Sequence, residues 1–314
     1  MPIKGKQSFP VLNAPVSLRG IQSETRSLNS VAEYIRRRMT RIGIMQGRLV
    51  PPTDNRIQCF PRERWADEFA LASQAGLDCI EWIYDLHGAD VNPLATDVGV
   101  GKLMHLSQQH KVKILSICAD YFMDKPLVRA SQADLNDRCN TFYWLLDRGR
   151  LIGAKRIVIP FVDASRIDTQ PEFDGVATLL KSLLKKAEKT GIEIHLESSL
   201  EPDRLAELLA QLPHPLLKVN YDSGNSSSLG YAPRHEFACY GERVGSVHIK
   251  DRLLGASTVP LGEGDADFPA LAESLKKVAY KGDFILQVAR GTSGNEVAWA
   301  RQNRAFVLQH FCSA

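Results

Sequence analysis

Short apolar runs alternate with segments of helical periodicity from Arg41 onward. In 173–190 the apolar residues form one stripe at the spacing of an α-helix, and 132–152 and 62–75 carry similar stripes. The apolar runs between such segments have the length of β-strands. We therefore predict eight strands, at 41–46, 77–83, 112–118, 156–161, 192–197, 217–222, 244–249 and 283–288.

Glycine marks the junction between predicted helix and predicted strand. Gly76, Gly153, Gly191 and Gly282 each stand just before a strand, and glycine adopts the left-handed conformation that ends a helix without steric cost. Strands that alternate with helices pair in parallel, and eight such units close a barrel. We predict an α/β fold, a single-domain (β/α)8 TIM barrel. An open doubly wound sheet is the alternative, but no GxGxxG follows the first strand.

Residues 1–40 differ from the remainder of the chain. They are polar and basic, as in "YIRRRMTR", and carry no periodic apolar face. We predict a short N-terminal extension over 1–40 and the barrel over 41–314. A transit peptide, or a start codon placed ahead of a true start at Met39, is an alternative for this segment.

Polar residues occupy corresponding positions at the ends of four consecutive strands. In a barrel alternate residues point inward, and the last inward residue of each strand faces the active-site mouth. The parity that turns apolar residues toward the helices points Glu197, Asp222, His248 and Gln287 inward at those ends. Two carboxylates, one imidazole and one amide oxygen suit one divalent metal ion, Mn²⁺, Mg²⁺, Co²⁺ or Zn²⁺.

A lone Glu or His at a strand end is more often a hydrogen-bonded core residue than a ligand. Four convergent ligands are harder to explain in this way, because isolated buried charges are costly. We therefore predict a metal centre at the carboxyl ends of strands five to eight. The same parity points Gln46 and Glu81 inward from strands one and two, and His195 inward one layer below Glu197.

The charge and cysteine composition of the chain limits the kinds of binding partner and cellular compartment that we expect. The chain has 39 basic and 36 acidic residues, a net charge of +3, which favours neither nucleic acid nor membrane binding. No apolar run approaches the length of about 20 residues that spans a bilayer. The six cysteines show no CxxC pair and no zinc spacing, so we expect a reducing compartment, the cytoplasm.

Three segments carry a family resemblance. "IHLES" with Glu197, "NYDSGN" with Asp222, and "HIKDR" followed by "VPLGEGDADFPAL" resemble the xylose isomerase-like barrel superfamily of sugar phosphate isomerases and epimerases. The resemblance extends from residue 41 to about 311. It implies that Glu197, Asp222 and His248 bind one divalent metal ion with a fourth ligand on strand eight.

Two positions depart from the pattern of the superfamily. The strand-eight ligand is Gln287 where a glutamate is expected, and Asn225 stands where the strand-six DxxH motif has histidine. The missing histidine and the small net charge disfavour a DNA-repair nuclease of the endonuclease IV type.

Glutamine in place of glutamate at residue 287 limits the proton-transfer mechanisms that the site can support. In the related ketose 3-epimerases the strand-five and strand-eight glutamates act as a proton-transferring pair, whereas Gln287 can bind a metal through oxygen but cannot exchange a proton. One-base isomerisation by Glu197 is therefore favoured over two-base epimerisation. Lys250 is a candidate to stabilise an enolate or act as acid, or else to bind an anion or pair with Asp251. Glu81 is a candidate second acid, or a residue that orients a ligand.

The resemblance implies a small sugar or polyol-like substrate, phosphorylated or not. Candidate substrate-binding residues are Gln46, Arg48, Tyr121, Asn225 and Arg290, although a structural salt bridge is as good an interpretation of Arg48. Two other functions stay open. One is a dehydratase of a keto-polyol on the same scaffold, and the other is a carbohydrate-binding protein whose catalytic pair has decayed. Barrels of this kind often associate, so a homo-oligomer is possible.

Overall fold

A computed structural model describes residues 40–312, and within this range the predicted (β/α)8 barrel is confirmed. The eight strands pair in parallel and close in the order β1-β8-β7-β6-β5-β4-β3-β2. Their bounds are β1 Ile42–Met45, β2 Cys79–Ile83, β3 Lys113–Cys118, β4 Arg156–Phe161, β5 Glu193–Ser198, β6 Leu217–Asp222, β7 Val244–Ile249 and β8 Phe284–Leu286. All eight predicted runs are thus strands. Three have the predicted bounds, and the ends of the other five differ by one or two residues.

Helices occupy the connections between strands. The α-helices are α1 Asp67–Ala75, α2 Asp97–His110, α3 Tyr121–Asp124, α4 Gln132–Ile152, α5 Gln170–Thr190, α6 Pro202–Ala210, α7 Ser223–Ser228, α8 Pro233–Tyr240, α9 Phe268–Lys277 and α10 Glu296–Phe311. A two-stranded antiparallel hairpin, Asp251–Arg252 with Thr258–Val259, follows β7. None of the helices within 40–312 is both long and apolar enough to cross a membrane.

Three of the four predicted glycine caps are confirmed. Gly76, Gly153 and Gly191 follow α1, α4 and α5 with φ of 76°, 80° and 69°. The prediction for Gly282 is wrong, because α9 ends at Lys277 and the left-handed residue of that turn is Ala279, with φ of 50°. A Cβ at residue 282 would lie 2.6 Å from the carbonyl oxygen of Gly245, so glycine permits close backbone approach there.

The outward faces of the strands pack against the helices. Trp82 on β2 is fully buried, and its ring contacts Phe60, Trp65 and Phe69 at centroid distances of 5.8, 5.8 and 6.2 Å. Such aromatic contacts add to the stabilisation from burial. This packing leaves the barrel interior to the inward, largely polar residues.

A buried ion pair links two strands across the amino end of the barrel. Arg156 Nη1 on β4 lies 2.7 Å from Asp283 Oδ2, immediately before β8, and neither side chain is more than 5% exposed. Arg41, half-exposed, contacts the other oxygen of Asp283 at 2.5 Å. This end of the interior is therefore built from paired charges.

The loop between the hairpin and α9 is held by one carboxylate. Asp251, fully buried, accepts backbone N–H groups of Gly262 at 2.8 Å, Gly264 at 3.0 Å and Ala266 at 3.1 Å. These bonds fix the glycine-rich segment "GEGDADF" against the end of β7. The predicted extension 1–40 lies, except for Thr40, outside the described residues.

Candidate metal centre

Three of the four predicted metal ligands converge at the carboxyl ends of β5, β6 and β7. One ligand atom each from Glu197, Asp222 and His248 lies within 4.8 Å of the other two, and all three residues are buried. His248 Nδ1 is 3.2 Å from Glu197 Oε2 and 3.8 Å from Asp222 Oδ2. The centre thus places two carboxylates around one ring nitrogen.

Glu81 sets the protonation of that ring. Its Oε1 lies 2.6 Å from His248 Nε2, and both side chains are fully buried. A carboxylate at this distance requires the proton on Nε2. In a neutral imidazole Nδ1 then carries a lone pair, which points at two carboxylates. Either a second ring proton or a cation is needed to relieve this repulsion.

The charges of the centre are strongly coupled. Burial alone would lower the pKa of His248, but the carboxylates of Glu81, Asp222 and Glu197 hold it well above its usual value. Burial alone would raise the pKa of Asp222, but the nearby Lys250 and His248 lower it to about 2. The carboxylate of Asp222 is thus ionised and available as a ligand.

The donor set fits a divalent metal ion. Asp222 Oδ2 and His248 Nδ1 are buried and have no hydrogen-bond partner among residues 40–312, although buried polar atoms are nearly always paired. A cation between them would supply the missing partner to both atoms and offset the carboxylate charge. Oxygen and imidazole ligands in this combination are those of Mn²⁺, Mg²⁺, Co²⁺ and Zn²⁺ sites.

Both oxygens of Glu197 are held by amide donors. Asn225 Nδ2 donates to Oε1 at 2.8 Å, and Asn220 Nδ2 donates to Oε2 at 3.1 Å. Asn225 thus occupies the motif position where histidine was expected and contacts the proposed base directly. The orientation of the Glu197 carboxylate is fixed by β6 and α7.

A chain of hydrogen bonds extends from Asn220 toward the amino end of the barrel. Ser246 Oγ donates to Asn220 Oδ1 at 2.6 Å and lies 2.7 Å from His195 Nδ1. His195 Nε2 lies 2.8 Å from Glu193 Oε2, and burial lowers the pKa of this histidine to about 4. His195 therefore lies in the core, one layer below Glu197, within the network that supports Glu197.

Gln287 lies beside the centre with its carboxamide engaged elsewhere. It follows β8, and its backbone N–H donates to the carbonyl oxygen of Ile249 at 3.0 Å. Its Oε1 accepts from Lys250 Nζ at 3.3 Å, and its Nε2 donates to Gln58 Oε1 at 3.0 Å. The metal-ligand role of Gln287 stays a prediction.

Lys250 approaches the centre from β7. Its Nζ lies 3.5 Å from Asp222 Oδ2 and donates to Asn225 Oδ1 at 3.1 Å. Its stem passes over Gly224, where a Cβ would lie 2.6 Å from Lys250 Cγ. The ammonium thus faces the centre, whereas the Asp251 carboxylate accepts from backbone N–H groups instead.

A cavity of about 270 Å³ opens beside these residues, near the lower limit of small-molecule sites. Glu197, Asn225, Lys250 and Gln287 line it. The other charged side chains of its wall are Arg48, Arg56, Asp85, Asp120, Asp124, Asp163 and Arg252. Both signs of charge are interspersed, which suits a polar, hydroxyl-rich ligand.

The structure does not bring every predicted substrate-binding residue to this cavity. Gln46 is fully buried and accepts the Ile83 N–H at 2.9 Å. Tyr121 packs against Tyr84 at 5.8 Å and does not line the cavity. Arg290 lines a separate cavity of about 170 Å³ near α10 and donates to carbonyl oxygens of Ile57 and Val50.

Arg48 lines the cavity, yet its donors are largely occupied. Its Nε donates to the Val288 carbonyl oxygen at 3.0 Å, Nη2 donates to Gln58 Oε1 at 3.1 Å, and Nη1 contacts the carbonyl oxygen of Ile57. Arg48 therefore links the loops that follow β1 and β8. This position favours a structural role for Arg48 over substrate binding.

Gln58 and Asp120 are among the residues of the cavity wall that sequence reasoning missed. Gln58 lies in the irregular loop after β1, where no periodicity assigns a direction to a side chain. Asp120 lies just past the predicted third strand in "CADYFMD", and its position after a strand end was a usable signal. Gln58 Nε2 donates to Asp120 Oδ2 at 2.8 Å.

Comparison with known proteins gives a family and a set of relatives. Residues 69–310 match the model of the family described as xylose isomerase-like TIM barrel. A segment of 104 residues is 30% identical to L-ribulose-5-phosphate 3-epimerase of Salmonella typhimurium. This segment covers 33% of the chain and 37% of that relative, so the match spans about a third of each protein.

Solved structures share the fold over most of the chain. The IOLI protein, solved with a bound zinc atom, is 17% identical with a TM-score of 0.71 over 87% of this chain and 99% of that chain. D-psicose 3-epimerase from Clostridium cellulolyticum H10, solved with D-tagatose, is 14% identical with a TM-score of 0.66 over 87% and 99%. At these identities the likeness establishes the fold alone.

Proposed function

The chain belongs to the xylose isomerase-like TIM barrel family, and from this premise we propose that it is a divalent-metal-dependent enzyme of the sugar isomerase or epimerase type. The observation that carries the proposal is the convergence of Glu197, Asp222 and His248 beside a polar cavity. The partial match to a sugar-phosphate epimerase supports a sugar or polyol-like substrate.

Glu197, Asp222 and His248 would hold the ion, with Gln287 as a fourth ligand through its oxygen. When bound, a divalent ion polarises a substrate carbonyl and so acidifies the neighbouring C–H group. Lys250 and Arg252 stand at the same wall of the cavity. They would add positive charge where negative charge develops on substrate oxygen.

Glu197 is the base in this proposal. It lines the cavity and is nearly buried, and amide groups of Asn220 and Asn225 hold both of its oxygens. A fixed carboxylate can take a proton from a carbon next to the carbonyl and return it to the adjacent carbon on the same face. This movement converts an aldose and a ketose into one another.

One-base isomerisation is favoured over two-base epimerisation because of residue 287. A two-base mechanism needs a second group that exchanges protons on the opposite face of the carbon. A carboxamide has no such proton at ordinary pH. The Glu197–Gln287 pair therefore lacks half of what epimerisation at one carbon requires.

A dehydratase is the second candidate, and the position of Lys250 favours it. Its ammonium, 3.5 Å from Asp222 and 3.3 Å from Gln287, could donate a proton to a departing hydroxide while Glu197 takes the α-proton. The product decides between the two functions, since dehydration lowers the substrate mass by one water and isomerisation leaves it unchanged.

Solvent isotope exchange tests the proposal. The Mn²⁺-loaded protein would be incubated in deuterium oxide with aldoses, ketoses, their phosphate esters and keto-inositols, and products would be analysed by mass spectrometry and NMR. We expect one group of compounds to gain deuterium at the carbon next to the carbonyl and to be converted to an isomer. Glu197→Gln should abolish both effects.

Either of two results would contradict the proposal. One is conversion that is unchanged in Glu197→Gln. The other is the absence of exchange and conversion across the panel in wild-type protein that holds its metal ion. As a control, Glu236→Gln changes a buried glutamate that bonds Tyr221, Ser226 and Tyr240, and it should leave turnover unaltered.

A further inference from the structure

A line of hydrogen bonds crosses the cavity wall from β7 to the end of β3. Lys250 Nζ donates to Gln287 Oε1, and Gln287 Nε2 donates to Gln58 Oε1 at 3.0 Å. Gln58 Nε2 then donates to Asp120 Oδ2 at 2.8 Å. The line therefore connects the strand-eight position that lacks a carboxylate to a carboxylate that follows β3.

The direction of these bonds is set by groups that can only donate. Lys250 presents an ammonium to Gln287, so the atom of Gln287 that faces it is oxygen. Arg48 Nη2 donates to Gln58 Oε1 at 3.1 Å, so the oxygen of Gln58 faces Arg48 and Gln287, and its NH₂ group faces Asp120. Both carboxamides are thereby oriented without ambiguity.

This direction explains why residue 287 is glutamine. Gln287 must donate to the oxygen of Gln58. A glutamate there would place a carboxylate oxygen against that oxygen, 3.0 Å away, with no proton between them. The network accepts a carboxylate only at its far end, where Asp120 stands. The carboxylate missing from strand eight thus has a counterpart after strand three.

Asp120 is suited to proton transfer in a way that the neighbouring Asp85 is not. It lines the cavity with Glu197, and its side-chain partners are Gln58 and the Cys118 thiol. Asp85, by contrast, accepts the backbone N–H groups of Phe60 at 2.7 Å and Gly88 at 2.9 Å. The carboxylate of Asp85 is therefore committed to holding a loop.

The electrostatic environment of Asp120 also suits proton transfer. Burial raises its pKa to about 6, and the charges of Glu197 and Asp85 raise it further, against the lowering effect of the Gln58 and Cys118 hydrogen bonds. An acid with a pKa close to neutrality can both give and take a proton during one turnover.

We propose that Asp120 is a second catalytic residue, which moves the hydroxyl proton of the substrate while Glu197 moves the carbon-bound proton. The inference rests on the proposed isomerase function. Glu197 takes the proton from carbon, the C–H electron pair forms the C=C bond, and the carbonyl π pair moves to its oxygen, whose charge Lys250 offsets. Asp120 then takes the hydroxyl proton from the neighbouring oxygen and gives it to this oxygen. The freed O–H electron pair forms the new carbonyl, and the C=C electron pair takes the proton held by Glu197 onto the adjacent carbon.

Asp120→Asn tests the assignment in the Mn²⁺-loaded enzyme, with the compound that wild-type protein converts. The amide keeps the size of the side chain and an oxygen for Gln58. We expect kcat to fall about 100-fold or more, the usual contribution of a general acid–base group, with the Mn²⁺ content unchanged. Deuterium exchange at carbon should persist, so the ratio of exchange to conversion rises. Asp137→Asn, on the exposed face of α4, is the matched control.

Two results in Asp120→Asn would overturn the assignment. One is a kcat within a few-fold of wild type. The other is loss of carbon exchange together with conversion in a variant that still holds its Mn²⁺, since Asp120 would then act on the carbon-bound proton. The isomerase function itself is tested on wild-type protein. If wild-type protein catalyses neither deuterium exchange nor conversion, that function is refuted, and the role of Asp120 is refuted with it.

Discussion

The Glu81 carboxylate lies 2.6 Å from the His248 imidazole, across the barrel interior between β2 and β7, and water reaches neither side chain. Glu81 holds the ring so that Nδ1 faces Glu197 and Asp222. Residues that orient a metal-binding histidine in this way raise its basicity and fix its tautomer. A residue that does not line the cavity thus orients the histidine of the candidate metal centre formed with Glu197 and Asp222.

We expect Glu81→Gln to weaken Mn²⁺ binding about 10-fold, and Glu81→Ala up to about 100-fold, the range seen for such partners of metal ligands. The amide still accepts the Nε2 proton but carries no charge, whereas alanine leaves that proton without an acceptor. Titration calorimetry with Mn²⁺ measures the effect, and Glu236→Gln serves as the control. Unchanged affinity in both Glu81 variants would show that Glu81 does not orient the ligand.

The support beneath Glu197 predicts a smaller effect. Ser246→Ala removes the donor to Asn220 Oδ1 and the partner of His195 Nδ1, which should lower the free energy of unfolding by about 1–3 kcal/mol and weaken Mn²⁺ binding a few-fold through Asn220. Ser226→Ala breaks a buried bond to Glu236 outside the barrel. It should destabilise the fold without affecting Mn²⁺ binding, and equal binding losses in the two variants would refute a specific link to Glu197.

The ion pair at the amino end of the barrel predicts a clear contrast in stability. Asp283→Asn leaves the buried Arg156 without its counter-charge, and such changes lower the free energy of unfolding by about 3–5 kcal/mol. Arg41→Gln removes the half-exposed partner of the same aspartate and should cost less than about 1 kcal/mol. Urea denaturation measures the free energy of unfolding of both variants. Similar losses in the two would mean that the buried Arg156–Asp283 pair contributes no more to stability than the half-exposed contact of Arg41.

Glu68 predicts a pH dependence of stability. It is fully buried and accepts the Gly47 and Leu49 N–H groups at 2.8 and 3.2 Å. Burial raises its pKa from 4.5 to about 7, more than those hydrogen bonds lower it. Because the folded protein binds this proton more tightly than the unfolded chain, the contribution is present below pH 4.5 and is lost as pH rises through 7.

Over this interval the loss is of order 3 kcal/mol for one carboxyl group. Glu68→Gln keeps an acceptor oxygen but does not titrate. Urea denaturation in EDTA at about pH 5 and pH 8 should therefore show a smaller fall in the free energy of unfolding for the variant than for wild type. Asp120 also titrates near this range, so only the difference between the two proteins is diagnostic, and identical falls would exclude Glu68.

Regular elements of this fold could be predicted because their signal is periodic. The alternation of apolar runs and helical stripes located every barrel strand, and strand parity correctly directed Glu197, Asp222 and His248 to one point. Gly282 shows the limit of a local rule. It precedes a strand as the other three glycines do, but the preceding helix ends five residues earlier, at Lys277, and close contact with β7 explains the glycine instead.

The loops could not be predicted in the same way. Arg48 and Arg290 follow strand ends and are charged, which favours ligand binding, yet their guanidinium groups bind carbonyl oxygens of neighbouring loops. Gln58 lies ten residues beyond Arg48 in a segment without periodicity. Its contacts with Asp120 and Gln287 depend on how three separate loops meet, which only tertiary structure determines.

The most direct measurement is the metal content of the purified protein, equilibrated with Mn²⁺, desalted and analysed by mass spectrometry, beside Asp222→Asn and the control Glu236→Gln. Asp222→Asn keeps the shape of the side chain but removes the buried, ionised ligand. We predict about one ion per chain in wild type and in the control, and almost none in Asp222→Asn. Wild-type protein that retains no ion, or an Asp222→Asn variant that retains it fully, would contradict a metal centre formed by Glu197, Asp222 and His248.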